Sequence, residues 1–303
     1  MPDTTAVGAR VEARGLSVRV GFSRILRGVS LCAEAGELVG ILGPSGSGKS
    51  TLLNVLGGWL RPSAGEVRIG GAPLRDCLGA GARLVGYVPQ EDIVHRQLSV
   101  RQALVYAGLL RLPELRAGKE IERRAAAVIS LLGLQDRAQA PIGTLSGGER
   151  KRANIGVELV TRPRVLLLDE PTSGLDPALE EKMMQLFRRL ADGGRTVILS
   201  THVMGTLEVL DMMLVMARGC GVYYGPAAEA TAFFQVDHPA EIYKRLAREG
   251  ERNWERRFRA SRYYADYVER RRHGRSWPRI HTDAHGYDAL GGTATAKPKA
   301  VLT

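Results

Sequence analysis

The chain has 303 residues, 44% of them hydrophobic, which suits a globular fold of one large domain or two small ones with a sizeable core. No stretch approaches about 18 uncharged apolar residues, so no membrane-spanning helix is predicted, and Met1-Pro2-Asp3-Thr4-Thr5 lacks the basic start and apolar core of a secretory signal. Three cysteines (Cys32, Cys77 and Cys220) are odd in number and widely spaced, which argues against a disulfide framework or a zinc site and for a reducing compartment. They are read as small buried apolar residues. The net charge of +11 is uneven, with 13 Lys and Arg against 6 Asp and Glu over residues 241–280.

Residues 11–20 and 36–42 read as strands, the second nearly all apolar and therefore buried. Next comes Gly43-Pro44-Ser45-Gly46-Ser47-Gly48-Lys49-Ser50, followed by Thr51-Leu52-Leu53. It fits G-x-x-x-x-G-K-[ST] between a strand and a helix, the context the motif requires. The glycines let backbone N–H groups wrap a phosphate, Lys49 reaches the β- and γ-phosphates, and the Ser50 hydroxyl can ligate Mg²⁺. The helix dipole adds a favourable field at the same place. A chance Gly/Ser loop would rarely match at every position with both flanks. A nucleoside triphosphate is therefore expected, ATP before GTP, since no guanine-reading motif is recognised.

A hairpin strand is expected over residues 66–71 and another strand over residues 84–90, ending at Gln90. Ser99 caps a helix running through Arg111, and residues 120–132 form a second, ended by Gly133. Thr144-Leu145-Ser146-Gly147-Gly148-Glu149-Arg150-Lys151-Arg152 then reads as a helix start with bare amides, which suits an anion. A Gly-rich turn that merely begins a helix explains this stretch equally well when it is taken alone.

Val165-Leu166-Leu167-Leu168-Asp169-Glu170 is a buried parallel strand delivering two carboxylates at its carboxyl end, where ligands sit in open α/β sheets. Asp169 can orient Mg²⁺ through water, and Glu170 is placed to polarise an attacking water. Ser173-Gly174-Leu175-Asp176-Pro177 is a tight turn into another helix. Residues 196–202 form the next buried strand, ending at His202, either a polar terminus or a γ-phosphate contact. Residues 241–247 and 251–272 read as two helices parted by Gly250, with Trp254, Phe258, Tyr264 and Val268 on one face and arginines on the other. From His273 onward the chain is polar and rich in Gly, Thr, Ala and Lys, and is expected to be disordered. His281, Asp283 and His285 could touch a metal, but nothing regular fixes them.

Together these residues resemble the nucleotide-binding domain of ABC transporters over residues 11–225. The motifs occur in that family's order: the phosphate loop, a glutamine loop at Gln90, the signature Leu145-Ser146-Gly147-Gly148-Glu149, Asp169-Glu170, a D-loop ending in Asp176, and the switch histidine His202. The adenine-stacking aromatic would fall near Val20, and the nearest ring is Phe22. The run from Tyr87 to Val100, Leu110-Arg111-Leu112-Pro113, Ser146 to Arg152, Val222-Tyr223-Tyr224-Gly225 and Phe233-Phe234 look like the G-type (White/pleiotropic drug resistance) exporters. Ser200-Thr201-His202 and Thr144-Leu145 depart from eukaryotic G-type members and point to a bacterial form.

The resemblance implies an α/β phosphate-loop ABC ATPase with a mainly parallel core sheet, an antiparallel β subdomain and a helical subdomain at about residues 91–160. A tail over residues 1–10 would precede the ATPase domain, a helical membrane-proximal extension would occupy 226–272, and a disordered tail 273–303. ATP and Mg²⁺ are the implied ligands. ATP would be held by Gly43, Pro44, Ser45, Gly46, Ser47, Gly48, Lys49, Ser50 and Thr51, with Ser146, Gly147, Gly148 and Asp176 as further nucleotide contacts. Mg²⁺ would be held by Ser50, Gln90 and, through water, Asp169. Glu170 would be the general base, assisted by His202 and Gln90. Two such domains, expected as a homodimer, would sandwich two ATPs head to tail, each signature facing the partner's γ-phosphate. A membrane permease would dock near residues 91–98, with Ile93, Val94 and Leu98, on the cytoplasmic side of the cell membrane.

The basic segment at 241–280 leaves three readings open: a membrane-facing surface, a nucleic-acid surface, or a helical cap packed on the domain. A soluble ATPase acting on DNA or ribosomes is the second functional reading. It is weakened by the single cassette and by the lack of heptads and CxxC pairs. A non-hydrolysing regulatory module is the third, and the intact Glu170 and His202 argue against it.

Overall fold

The structure, a computed structural model, describes residues 8–78, 84–115, 119–202 and 207–272. The tail from His273, with His281, Asp283 and His285, lies outside the described residues, as do residues 1–7 of the N-terminal tail.

The described residues contain two sheets. β1 (Val11–Val20), β2 (Ser23–Ala33), β4 (Ala64–Ile69) and the short β5 (Ala72–Pro73) form an antiparallel sheet in the order β2-β1-β4-β5. β3 (Leu38–Leu42), β6 (Val85–Val88), β7 (Val165–Leu168), β8 (Thr196–Thr201), β9 (Met212–Ala217) and β10 (Cys220–Pro226) form a second sheet in the order β10-β9-β3-β8-β7-β6. All neighbours in it are parallel except β9 and β10. The α/β class expected from the sequence, with its antiparallel sheet, is present. β3, β7, β8 and β9 are buried along their whole length, as strands covered on both faces must be.

The sequence reading missed β2. Its apolar alternation is broken by Arg24, Arg27 and Gly28, and its pairing with β1 shifts register three times. The bulges are satisfied locally: the Gly15 N–H donates to Ser30 Oγ (2.9 Å) and the Gly28 N–H to Ser17 Oγ (3.0 Å).

α1 (Lys49–Gly57) and α6 (Pro177–Asp192) pack on the parallel sheet, and α2 (Leu74–Leu78) lies beside β4. α3 (Val100–Arg111), α4 (Lys119–Leu131) and α5 (Gly147–Leu159) pack on one another as a helical block. Ser99 caps α3 with a capping box shared with Gln102.

The C-terminal segment folds back on the domain. It comprises α7 (Ala230–Phe234), α8 (Ile242–Glu249), α9 (Glu251–Arg259) and a π-helical turn over Tyr264–Arg270. The sequence pattern predicts one helix over 251–272. It breaks instead at Ala260, where the Ser261 hydroxyl donates to Phe258 O (2.7 Å) and accepts the Tyr264 N–H (3.4 Å). The break swings Tyr263 to 5.2 Å from the Tyr223 ring on β10. Phe233, Phe234, Trp254 and Phe258 complete an aromatic cluster there. The apolar stripe of α9 therefore faces the chain's own core, with Trp254 and Phe258 buried, while Arg256, Arg257 and Arg259 point outward.

One ion pair closes this segment. Arg271 is buried, its guanidinium donating to Glu37 Oε2 (2.9 Å) and to Cys32 O (3.1 Å), and it lies 5.4 Å from the Tyr267 ring. Arg10 in turn donates to the Arg271 carbonyl. Removing one member of a buried pair strands the other charge. Arg271→Ala is expected to cost about 3–5 kcal/mol by urea unfolding, and to raise amide exchange across residues 251–272 first.

Candidate active site

The parallel sheet delivers its functional residues to one edge. β3, β8, β7 and β6 are neighbours, and Gly43, His202, Asp169-Glu170 and Gln90 lie just beyond their carboxyl ends. That is the edge at which open α/β sheets bind ligands.

The phosphate loop follows β3. Gly48, at φ 100°, precedes α1 in the left-handed region, and a Cβ there would meet Leu26 Cδ2 at 2.8 Å. No side chain caps α1, so its first-turn amides keep their donors for an external anion. Ser47 Oγ is buried with no partner among the described residues. Lys49 Nζ curls back to donate to Gly43 O (2.9 Å), with Pro44 O at 3.4 Å, and lies 3.6 Å from Glu170 Oε1. Uncapped amides, an orphan hydroxyl and a buried ammonium together fit a triphosphate.

Glu170 sits in the left-handed region at φ 45°, which a non-glycine residue occupies only under constraint. The constraint is visible. Its N–H donates to Ser200 Oγ (2.8 Å), while the Ser200 hydroxyl donates to Asp169 Oδ1 (2.6 Å) and the Asp169 N–H to Val88 O (2.9 Å). The carboxylate gathers three groups: Lys49, Gln90 Nε2 at 3.2 Å and His202 Nδ1 at 3.7 Å. A carboxylate so placed can take a proton from water, with the amide and imidazole beside it to orient that water. Ser50, Gln90 and Asp169, the residues expected to hold a divalent cation, all carry hard oxygen donors of the kind such an ion takes. No group of three His, Cys, Asp or Glu that could hold a metal occurs among the described residues.

Ser146 is the N-cap of α5. Its Oγ accepts the Glu149 N–H (3.3 Å), and Glu149 Oε2 accepts the Ser146 N–H (2.9 Å), which holds the Glu149 carboxyl below its ordinary range. The two signature glycines differ. A Cβ on Gly148 would run into the Leu179 side chain at 2.1 Å, so its glycine serves packing against α6. A Cβ on Gly147 would meet nothing within 4 Å, so that face is open. No hydrogen bond or ion pair joins Ser146, Gly147 or Gly148 to the phosphate loop among the described residues. Asp176 caps α6, its Oδ1 accepting the Leu179 N–H (3.0 Å). Phe22, the ring nearest the expected adenine position, is fully exposed in the β1–β2 turn.

Two residues escaped the sequence reading. Ser200 left one signal, a hydroxyl inside a wholly buried strand. Tyr243 left none: from α8 its hydroxyl accepts the Gly43 N–H (3.0 Å), 200 positions away. Burial pushes that phenol up to about 12, so it stays neutral. Gly43 is thus pinned on both sides, its N–H by Tyr243 and its C=O by Lys49.

A phosphate loop, paired acids and an exposed helix N-terminus on this sheet define a phosphate-loop ATPase. Residues 26–173 match the ABC transporter family. An ABC transporter ATP-binding/permease protein of Mycobacterium tuberculosis is 38% identical over 245 residues, 80% of this chain and 28% of that protein. ABC transporter G family member 13 of Arabidopsis thaliana is 40% identical over 221 residues, 70% of this chain and 32% of that protein. This chain therefore spans about a third of the length of these relatives. Among solved structures, an ATP-binding subunit of an ABC transporter superposes with TM-score 0.68 at 25% identity, covering 78% of this chain and 99% of that one. A dimeric ATP-binding cassette in a post-hydrolysis state, bound to ADP and Pi, gives TM-score 0.65 at 28% identity, covering 72% and 98%. This chain carries the ATP-hydrolysing domain of the ABC transporter family.

Ser200 offers the sharpest check on the acid pair. Ser200→Ala removes the hydroxyl that holds Asp169 and the Glu170 main chain. Supporting contacts of this kind are worth about 10- to 100-fold in activity or metal affinity. The variant is expected to lose ATP turnover by that factor and to need more Mg²⁺, with unchanged circular dichroism.

Proposed function

We propose that the chain is the ATP-hydrolysing part of a membrane transporter, working as a head-to-tail dimer in which each signature completes the partner's site. The observation that carries this is the separation within one chain. Lys49 and Glu170 share an edge, whereas a Cβ on Gly147 would meet nothing within 4 Å and no hydrogen bond or ion pair joins Ser146, Gly147 or Gly148 to the phosphate loop among the described residues. A helix N-terminus with an open glycine face fits a nucleotide held by a second copy. The dimeric neighbour bound to ADP and Pi supports the same reading.

In this reading the first-turn amides of α1 and Lys49 bind the β- and γ-phosphates. Glu170 takes the proton of the attacking water, and His202 and Gln90 keep that water in line. The partner's signature, from Ser146 onward, adds donors to the γ-phosphate, stabilising charge as it develops. Ser50, Gln90 and, through water, Asp169 would hold Mg²⁺, which would supply charge neutralisation at the phosphates. Closing the dimer would supply the conformational work and hydrolysis would reset it.

The permease would dock at residues 91–98, where Ile93 is exposed and Val94 and Leu98 are partly buried. The outward arginines of α9 suit the anionic cytoplasmic leaflet. Export is the direction proposed, a reading supported by the likeness to ABC transporter G family members, and the permease would be fused or separate. The soluble reading on DNA or ribosomes is set aside, since the relatives above are named as transporters.

Glu170→Gln is expected to abolish turnover and to accumulate an ATP-bound dimer on gel filtration. Ser146→Arg is expected to leave monomer ATP binding within about twofold and remove hydrolysis, by more than about 100-fold. Loss of monomer ATP binding in Ser146→Arg would mean that Ser146 serves its own chain's nucleotide.

A further inference from the structure

The turn after the signature serine carries two cations that the proposed function leaves without a role. Lys151 lies on α5 yet is only 6% exposed. Its Nζ donates to the main-chain carbonyl of Gln90 at 2.6 Å. A buried ammonium is costly unless it is hydrogen-bonded and near opposite charge. Desolvation lowers the Lys151 pKa, and Asp92, Asp169 and Glu170 oppose that shift. A lysine serving only solubility would have its head in water.

Arg150, the residue before it, links the same two loops. Its guanidinium donates to Leu145 O, immediately before the signature serine, and its Nε lies 3.7 Å from Asp92 Oδ2. The Gln90 side chain completes the chain of contacts by donating to Glu170. A continuous path thus runs from Glu170 through Gln90 to Lys151, with Asp92, Arg150 and Leu145 parallel to it. It starts at the carboxylate of the chain's own site and ends at the helix terminus that would face a partner's nucleotide.

We infer that Lys151 and Arg150 are positioning residues that clasp residues 90–92 to the first turns of α5, so that the placement of Ser146 follows the state of Gln90 beside Glu170. A shift of Gln90 at its own site moves the carbonyl that Lys151 holds, and with it the helix that Ser146 caps. The inference rests on the sandwich reading. It adds a route by which occupancy of one site reaches the other.

The test uses the full chain with ATP and Mg²⁺. In the Glu170→Gln background, Lys151→Met keeps the stem and removes the ammonium. It is expected to raise the ATP concentration for half-maximal dimerisation about tenfold, with ATP affinity of the dilute monomer within about twofold. In chains with Glu170 intact, Lys151→Met is expected to lower turnover at sub-saturating ATP about tenfold, because the dimer forms only at higher ATP concentration. In a Gln90→Ala background, which already severs the path to Glu170, its further effect falls below about twofold. Asp92→Asn weakens the more exposed half of the clasp without burying a new charge, and guards against misfolding of Lys151→Met. It is expected to shift dimerisation in the same direction, about threefold. Multiplying effects of Lys151→Met and Gln90→Ala, or unchanged dimerisation in both clasp variants, overturn the inference. If Glu170→Gln alone does not dimerise with ATP, the sandwich reading falls and the clasp with it.

Discussion

The site depends on one register. β3, β8, β7 and β6 pair in parallel, so that Leu42 stands beside Thr201, Leu168 beside Leu199 and Val88 beside Leu168. The residues that follow these strands are therefore delivered to one edge. A slip of one residue in β7 would turn every side chain of that strand to the other face and take Asp169 away from Ser200. Apart from Thr196, Ser200 and Thr201 on β8, the side chains of β3, β7 and β8 are apolar, so packing of Val, Ile and Leu against α1 and α6 sets the register. The chemistry inherits its geometry from the core.

The cost of that edge is concentrated at Glu170. A left-handed non-glycine residue is unfavourable by about 1–3 kcal/mol. The main-chain bond to Ser200 offsets roughly 1 kcal/mol of it, and the partners of the carboxylate offset more. A relaxed backbone here would lose the contact with Ser200 and turn the carboxylate from Lys49. The phosphate loop is fixed by comparable means. Tyr243 and Lys49 hold the two sides of Gly43, so the mouth of the loop is braced by the C-terminal segment as well as by its own lysine. The Arg271–Glu37 pair anchors the far end of that segment.

What the sequence made legible was contiguous. The phosphate loop, the Asp169-Glu170 end of an apolar strand and the capped start at Ser146 each occupy a short run whose residue types have one good physical use. Contacts between distant runs left little trace. Tyr243 to Gly43, Arg271 to Glu37 and Lys151 to Gln90 join residues 200, 234 and 61 positions apart, and nothing local distinguishes those side chains from surface residues. β2 was hidden because its bulges break the period-two pattern, although the bulges themselves are orderly. The helix over 251–272 was overextended because Ser261 is tolerated by a helical pattern, and the rings that Tyr263 meets after the break, Tyr223 and Phe233, lie far off in sequence. The arginine-rich stripe was legible as amphipathic, but not what its apolar face would meet. That was decided by Phe233, Phe234 and Tyr223, which precede it in the chain.

The signature serine hydroxyl already accepts the Glu149 N–H, and that bond could be taken as competing with a phosphate. It does not compete. A serine hydroxyl has one donor and two acceptor lone pairs, and capping uses only a lone pair. The O–H remains free to donate outward, together with the N–H groups of Gly147 and Gly148. Capping also fixes the Ser146 side chain, so less side-chain freedom remains to be lost when an anion arrives. Glu149 contributes its own negative charge near the same helix terminus. The reciprocal bond from the Ser146 N–H and the neighbouring Arg137, 3.2 Å away, partly neutralise that charge. The capping box and the anion site are therefore one device. The helix start is made rigid by satisfying the donors that point inward, and the donors that point outward are left for a ligand.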